Sequence, residues 1–128
     1  MRNLIAVIIL ALVFCTTAEA KRKPTTQQKV KQTIYKYFHP LGQYRNALCI
    51  AYAESRFKPR ARHVNSDGTT DLGTFQVNTY WHPYFNPKRL LEIRYNIAAA
   101  RKIYLNIDKH GKTHPSWGPW ATRRSCGV

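Results

Sequence analysis

Between residues 43 and 78 the chain reads QYRNALCIAYAESRFKPRARHVNSDGTTDLGTFQVN, and its texture changes once along the way. Over Gln43 to Ser55, Tyr44, Ala47, Leu48, Ile50 and Ala51 share one helical face, with Tyr52 and Ala53 adding bulk. Glu54 lies three and four residues beyond Ala51 and Ile50, so the spacing predicts a carboxylate on the buried face at the end of a helix. From Ala61 to Val77 short β-like pieces follow. They flank Asn65-Ser66-Asp67-Gly68, whose residues favour the positive φ angles of a tight hairpin turn. A helix running into a small hairpin, with an acid at the junction, is the local arrangement to expect.

Working towards the N-terminus, Thr25 and Gln28 stand three apart as a capping box for a helix. Val30, Ile34 and Phe38 form its apolar stripe, and Pro40 stops it. Further out, Leu4 to Phe14 is an apolar run behind Arg2, followed by the small residues Thr16 to Ala20 in an A-x-A pattern. This predicts a secretory signal peptide over residues 1–20, cleaved after Ala20. The run is shorter than the roughly 18 to 20 apolar residues of a membrane span, so no stable insertion is expected after cleavage. A lipid anchor on Cys15 is set aside because bulky Phe14 precedes it.

Working towards the C-terminus, Asn86-Pro87 predicts a longer helix with the stripe Leu90, Ile93, Ile97, Ala100 and Tyr104, ending near Gly111. Residues 21–128 then form one domain, a length that excludes a second. Export leaves Cys49 and Cys126 as the remaining thiols, and a single disulfide between them is the economical expectation. Without Arg2 and Glu19 the net charge stays at +15, a field that draws polyanions of any kind. Export argues against an intracellular nucleic-acid role.

The few acids can be taken one by one. Glu92, between Arg89 and Arg94, reads as a solvated surface partner, Asp108 as the polar end of the long helix, and Asp67 as a turn residue. Position leaves two readings open for Glu54: a general acid whose pKa is raised by desolvation, or a partner for Arg56 or Arg60. Asp71, on the second strand of the expected hairpin, would sit in a polar setting that keeps it ionised. Two carboxylates in contrasting settings are what glycosidic cleavage uses.

Ala53-Glu54-Ser55-Arg56-Phe57-Lys58-Pro59-Arg60-Ala61, followed by Asn65 to Asn78 with the order N-x-D-G-x-x-D and G-x-x-Q-V-N, resembles the lysozyme-like superfamily. That superfamily covers lytic transglycosylases and chicken-type lysozymes. The similarity is strong over Ala47 to Asn78 and weaker over Asn96 to Leu105. It implies an α+β fold in which a mainly helical body meets a small β-hairpin lobe, with peptidoglycan glycan strands lying in the cleft between them. The resemblance makes Glu54 the catalytic acid, with Asp71 facing it. Ser55 would orient Glu54, and Gln76 and Asn78 would bind sugar or support the site. Tyr80, Trp81, Tyr104, Trp117 and Trp120 are candidates for stacking on sugars, with core packing as the alternative for each. Cys49 and Cys126 look like one bridge of chicken-type lysozymes, whose other bridges are missing.

Two chemistries share this acid. Phe57-x-Pro59-x-Ala61 and the single bridge favour a lytic transglycosylase leaving 1,6-anhydromuramyl ends. Against it, the A-Y-N-x-G signature of that family is absent, and Ser116-Trp117-Gly118-Pro119-Trp120 is closer to lysozymes, so a hydrolase using Asp71 as second carboxylate is the alternative. Outside enzymes, the charge fits a cationic wall-binding or polyanion-binding module. No cofactor or metal is expected: of five histidines only His110 and His114 have helical ligand spacing, and Gly111 and Pro115 argue against a helix there. The expected protein is a secreted or periplasmic monomer acting on the cell wall, with no specific nucleic-acid partner.

Overall fold

A computed structural model describes residues 22–128, and the expected signal peptide lies outside the described residues. Helix α1 spans Thr26–Phe38. Its capping box forms as expected, Thr25 Oγ1 accepting from the Gln28 amide at 3.2 Å and Gln28 Oε1 from the Thr25 amide at 2.7 Å. Val30, Ile34 and Phe38 are fully buried along one face. Pro40 falls within a 3-10 turn, His39–Leu41, and Gly42 at φ 66° turns the chain into α2, Tyr44–Ser55.

In α2 the buried positions are Ala47, Ile50, Ala51 and Ser55. This corrects the expected stripe at its end. Tyr52 and Ala53 face outward, Ser55 takes the buried place four residues beyond Ala51, and Glu54 sits half-buried at the flank. Arg56 and Phe57, both in the left-handed region at φ 54° and 61°, then reverse the chain into the β-lobe.

That lobe is a three-stranded antiparallel meander in the order β1 (Arg62–Val64), β2 (Thr70–Leu72), β3 (Val77–Asn78), one strand more than the expected hairpin. The β1–β2 connection is wider than a tight turn. It runs from Asn65 to Thr69, with Gly68 at φ 83° and the Asp67 carboxylate accepting from the Thr69 amide and hydroxyl at 2.9 and 2.7 Å. The register sets Asp71 between His63 and Asn78.

The long helix starts late. Asn86 Oδ1 caps the amides of Lys88 and Arg89, but only a 3-10 turn, Arg89–Leu91, follows before Glu92 adopts extended ψ of 133°. Helix α3 then runs Ile93–Leu105. It ends at Asn106, not near Gly111, because Asn106 takes the left-handed cap itself at φ 42° and bonds back to the carbonyls of Lys102 and Ile103. Asp108 therefore lies in a turn, accepting from the amides of His110 and Lys112 and pairing with His114 at 3.1 Å. Glu92 pairs with Arg89 at 3.4 Å on the surface, as expected.

Lobe and body meet through aromatic packing and one amide. Phe75, in the loop between β2 and β3, stacks on Phe38 at 5.7 Å, and Phe38 stacks on Trp117 at 5.4 Å. Asn96, fully buried in α3, donates to the carbonyls of Leu72 and Leu90 at 2.8 and 2.9 Å and accepts from the Phe75 amide at 2.8 Å. Gly73, at φ 78°, lets the β2–β3 turn approach so closely that any Cβ there would collide with the Leu90 carbonyl and Asn96. The chain closes with a 3-10 helix, Ala121–Cys126, bound to α2 by the Cys49–Cys126 disulfide across 77 residues. Closing a loop of that length contributes roughly 4 kcal/mol in the chain-entropy view.

Candidate active site

Between the β-lobe and the helices lies a cleft of about 500 Å³ whose walls include Glu54, Asp71, Gln76, Asn78, Trp81 and Trp120. Glu54 reaches it from the end of α2 and Asp71 from the middle of β2, so the fold brings together the two acids singled out by sequence.

Their surroundings differ. Burial is the main cause that pushes the Glu54 carboxyl above its usual range, and the nearby Asp71 charge adds to it. A hydrogen bond from Thr122 Oγ1 to Glu54 Oε1, 2.6 Å long, acts in the opposite sense by favouring the carboxylate. Among the described residues neither Arg56 nor Arg60 forms an ion pair with Glu54; Arg56 instead lies over the Tyr52 ring at 4.3 Å. Asp71 is held on both oxygens by neutral amides: Asn78 Nδ2 donates to Oδ1 at 2.7 Å and Asn65 Nδ2 to Oδ2 at 3.0 Å. The same two amides also donate to Thr69 Oγ1, each at 3.0 Å, which ties the three residues into a frame around the carboxylate.

The remaining residues divide. Asn78 turns its amide nitrogen to Asp71 and its oxygen to the amides of Tyr80 and Trp81, so it supports the site from within. Gln76 lines the cleft in a left-handed conformation at φ 47°, anchored by its side-chain nitrogen to the Gly73 carbonyl at 2.8 Å. Trp81 stands in the cleft wall, 68% exposed. Tyr80 packs edge-on against it at 4.9 Å and opens onto the neighbouring surface groove with Asp67 and Gly68. Trp120 borders the cleft but is buried, its Nε1 donating to the Phe75 carbonyl at 2.9 Å.

Three expectations are corrected. Ser55 does not reach Glu54; its hydroxyl donates to the carbonyls of Thr74 and Ala51 at 2.7 and 3.2 Å, locking α2 to the β-lobe. Tyr104 and Trp117 are core residues, packed on each other at 4.6 Å, and Trp117 Nε1 is satisfied by Gln43 Oε1 at 2.9 Å. Thr122, which carries no motif of its own in the sequence, and Asn65, expected as a turn residue, touch the two carboxylates. Thr122 is 68 residues from Glu54, and only the disulfide next to it hinted that the C-terminal segment would return to α2.

Residues 40–122 match the family model described as "Lysozyme like domain". The chain belongs to this lysozyme-like family. Among curated relatives it is 25% identical to Lysozyme 1 of Musca domestica over 134 aligned positions, covering 93% of this chain and 89% of that protein. A second match, to Lysozyme-like protein 1 of Mus musculus, is 49% identical over 35 residues and covers 24% of that protein. Among solved structures, a lysozyme from Litopenaeus vannamei superposes with a TM-score of 0.58 at 19% identity over 83% of this chain and 89% of the other. Another, from Equus asinus, gives 0.54 at 18% identity over 81% of this chain and 88% of the other. The lysozyme-like α+β fold is therefore shown, a helical body carrying a small antiparallel sheet.

Proposed function

We propose that this lysozyme-like protein is a secreted, monomeric enzyme that cleaves the β-1,4 bond between N-acetylmuramic acid and N-acetylglucosamine in peptidoglycan. The observation that carries the reading is the pairing in one cleft of a half-buried carboxyl pushed up in pKa with a carboxylate fixed by two amides. Residues 21–128 act as the catalytic domain once the segment ending at Ala20 is removed. The disulfide suits an oxidising compartment, and no helix among the described residues is long and apolar enough to cross a membrane.

In this reading Glu54, protonated, gives its proton to the glycosidic oxygen as the C1–O bond breaks. The cation-like C1 left behind faces the Asp71 carboxylate. Glu54, now ionised, takes a proton from water as that water's oxygen bonds to C1, and both carboxyl groups return to their starting states. Trp81 supplies a flat apolar face for a sugar ring.

The motif Phe57-x-Pro59-x-Ala61 favours ring closure by the muramyl 6-hydroxyl over addition of water. The frame around Asp71 favours water, since a transglycosylase requires only Glu54, whereas here Asn65, Thr69 and Asn78 all hold a second carboxylate at the cleft. Hydrolysis is therefore the leading reading and transglycosylation the second. Mass spectrometry of digested peptidoglycan separates them. New reducing muramic ends are expected, and 1,6-anhydromuramyl ends in their place would reverse the order.

A further expected result concerns Thr122. Its hydroxyl favours the charged form of Glu54, so Thr122→Val should raise that pKa further and shift the alkaline limb of the pH–activity profile to higher pH. Thr122→Ser should restore it. A limb that stays in place or moves down would show that the hydroxyl does not tune the acid.

A further inference from the structure

Beside the catalytic cleft runs a second groove of about 490 Å³, and the two share His82, Ile103 and Pro119 in their walls. The shared residues set the two side by side, so a branch of a ligand seated in the first can reach the second. The chemistry of the second differs. It contains no acid; its polar groups are the Lys102 ammonium, the Asn106 amide and the Ser116 hydroxyl, beside His82 and Tyr84. Lys102 Nζ is placed over the rings of Tyr84 and Phe85, 5.6 and 5.9 Å from their centroids, and pairs with no carboxylate among the described residues. Asn106, held in the left-handed cap of α3, uses its backbone amide inside the helix, and its side chain makes no hydrogen bond within the described part of the chain.

A positioned cation without an anion, next to amide and hydroxyl groups, suits an extended peptide ending in or carrying carboxylates. A muramyl residue without its peptide offers only the lactyl carboxylate held close to its own ring, whereas a stem peptide carries carboxylates further out and backbone groups for Asn106 and Ser116 to bond. Muramyl residues in peptidoglycan do carry such a peptide, joined through the lactyl group, so it leaves the glycan strand beside the bond to be cut. We propose that this groove seats the stem peptide of a muramyl residue bound in the cleft, with Lys102 meeting a peptide carboxylate and Asn106 and Ser116 bonding the peptide backbone. This rests on the glycan-cleaving reading and adds a preference to it: the enzyme selects peptide-substituted strands over stripped ones.

The test compares kcat/KM on soluble peptidoglycan strands with intact stem peptides and on the same strands after an amidase has removed them and left only the lactyl carboxylate on each muramyl residue. The wild type is expected to favour the peptide-bearing strands by about tenfold, the effect of one charge-assisted contact. Lys102→Glu should bring the ratio of the two values down to about one, a loss of that whole contact. Lys23→Glu makes the same charge change in the tail ahead of α1 and is expected to keep the wild-type ratio, which separates a local contact from the general field of a +15 protein. Equal kcat/KM on both strands for the wild type would overturn the proposal and make the groove part of the sugar-binding surface. So would a ratio that survives Lys102→Glu, or one that Lys23→Glu abolishes equally well. Failure of the wild type to cut either strand would instead strike at the glycan-cleaving reading, and this proposal would fall with it.

Discussion

Asn96→Leu is expected to cost about 3 to 6 kcal/mol of folding stability, read from the urea midpoint of the purified domain. Leucine matches asparagine in outline but offers neither donor nor acceptor. The carbonyls of Leu72 and Leu90 and the amide of Phe75 would each lose their Asn96 partner in the interior. A buried backbone group left unpaired costs roughly 1 to 3 kcal/mol, and a domain of this size has on the order of 5 to 15 kcal/mol in all. The loss would fall on one place. Asn96 joins α3 to Leu72 at the start of the β2–β3 turn and to Phe75 within it, and the same turn positions Phe75 against Phe38 and presents Gln76 to the cleft. The variant should therefore loosen the β-lobe first, with earlier hydrogen exchange in residues 70–78 than in α1. An unfolding free energy within about 1 kcal/mol of wild type would mean that packing, not the amide, holds the lobes together.

How much of this was legible in sequence depended on the range of the interactions. The cap and stripe of α1 need only residues three and four apart, and they form as read. Glu54 and Asp71 could be singled out because so few acids compete with them in a chain of this charge. The third strand, Val77–Asn78, is too short to show a period of its own and exists because β2 offers it a partner. Helix α3 starts later than Asn86-Pro87 suggested because the amide cap was satisfied by a single 3-10 turn. The aromatic residues were hardest to place. Trp81 and Trp117 look alike in sequence, yet one stands in the cleft wall and the other is buried among Phe38, Tyr104 and Trp120, a difference that only the assembled core decides. Thr122 was invisible for the same reason. Its position opposite Glu54 depends on the C-terminal 3-10 helix folding back onto α2.

Glu54→Gln should lower glycan cleavage by about 10³-fold or more, the range expected when a general acid is removed. Glutamine keeps the shape of the side chain and an oxygen able to accept from Thr122, so the fold around the site should be retained. The effect on stability has a definite sign. Folding raises the Glu54 pKa, so this group favours the folded state most at low pH, and the advantage fades as pH rises through the ordinary Glu range to the raised folded value. Glutamine carries no such loss, and the variant should melt at or above the wild-type temperature at neutral pH. In the wild type the same ionisation sets the alkaline limb of activity, because the proton given to the leaving oxygen is then missing.

The central claim is that the half-buried Glu54 carboxyl delivers the proton that breaks the glycan strand, and it is tested most directly by measuring cutting and binding together on one variant. Purified wild type and Glu54→Gln are each mixed with insoluble peptidoglycan at low salt, and the release of soluble muramic fragments and the fraction of protein sedimenting with the wall are recorded. The expected result is wild-type release of fragments, near-complete loss of release in Glu54→Gln, and equal sedimentation of both. Fragment release by Glu54→Gln at the wild-type rate, or none from the wild type while both proteins bind the wall alike, would contradict it and leave a cationic wall-binding module in its place.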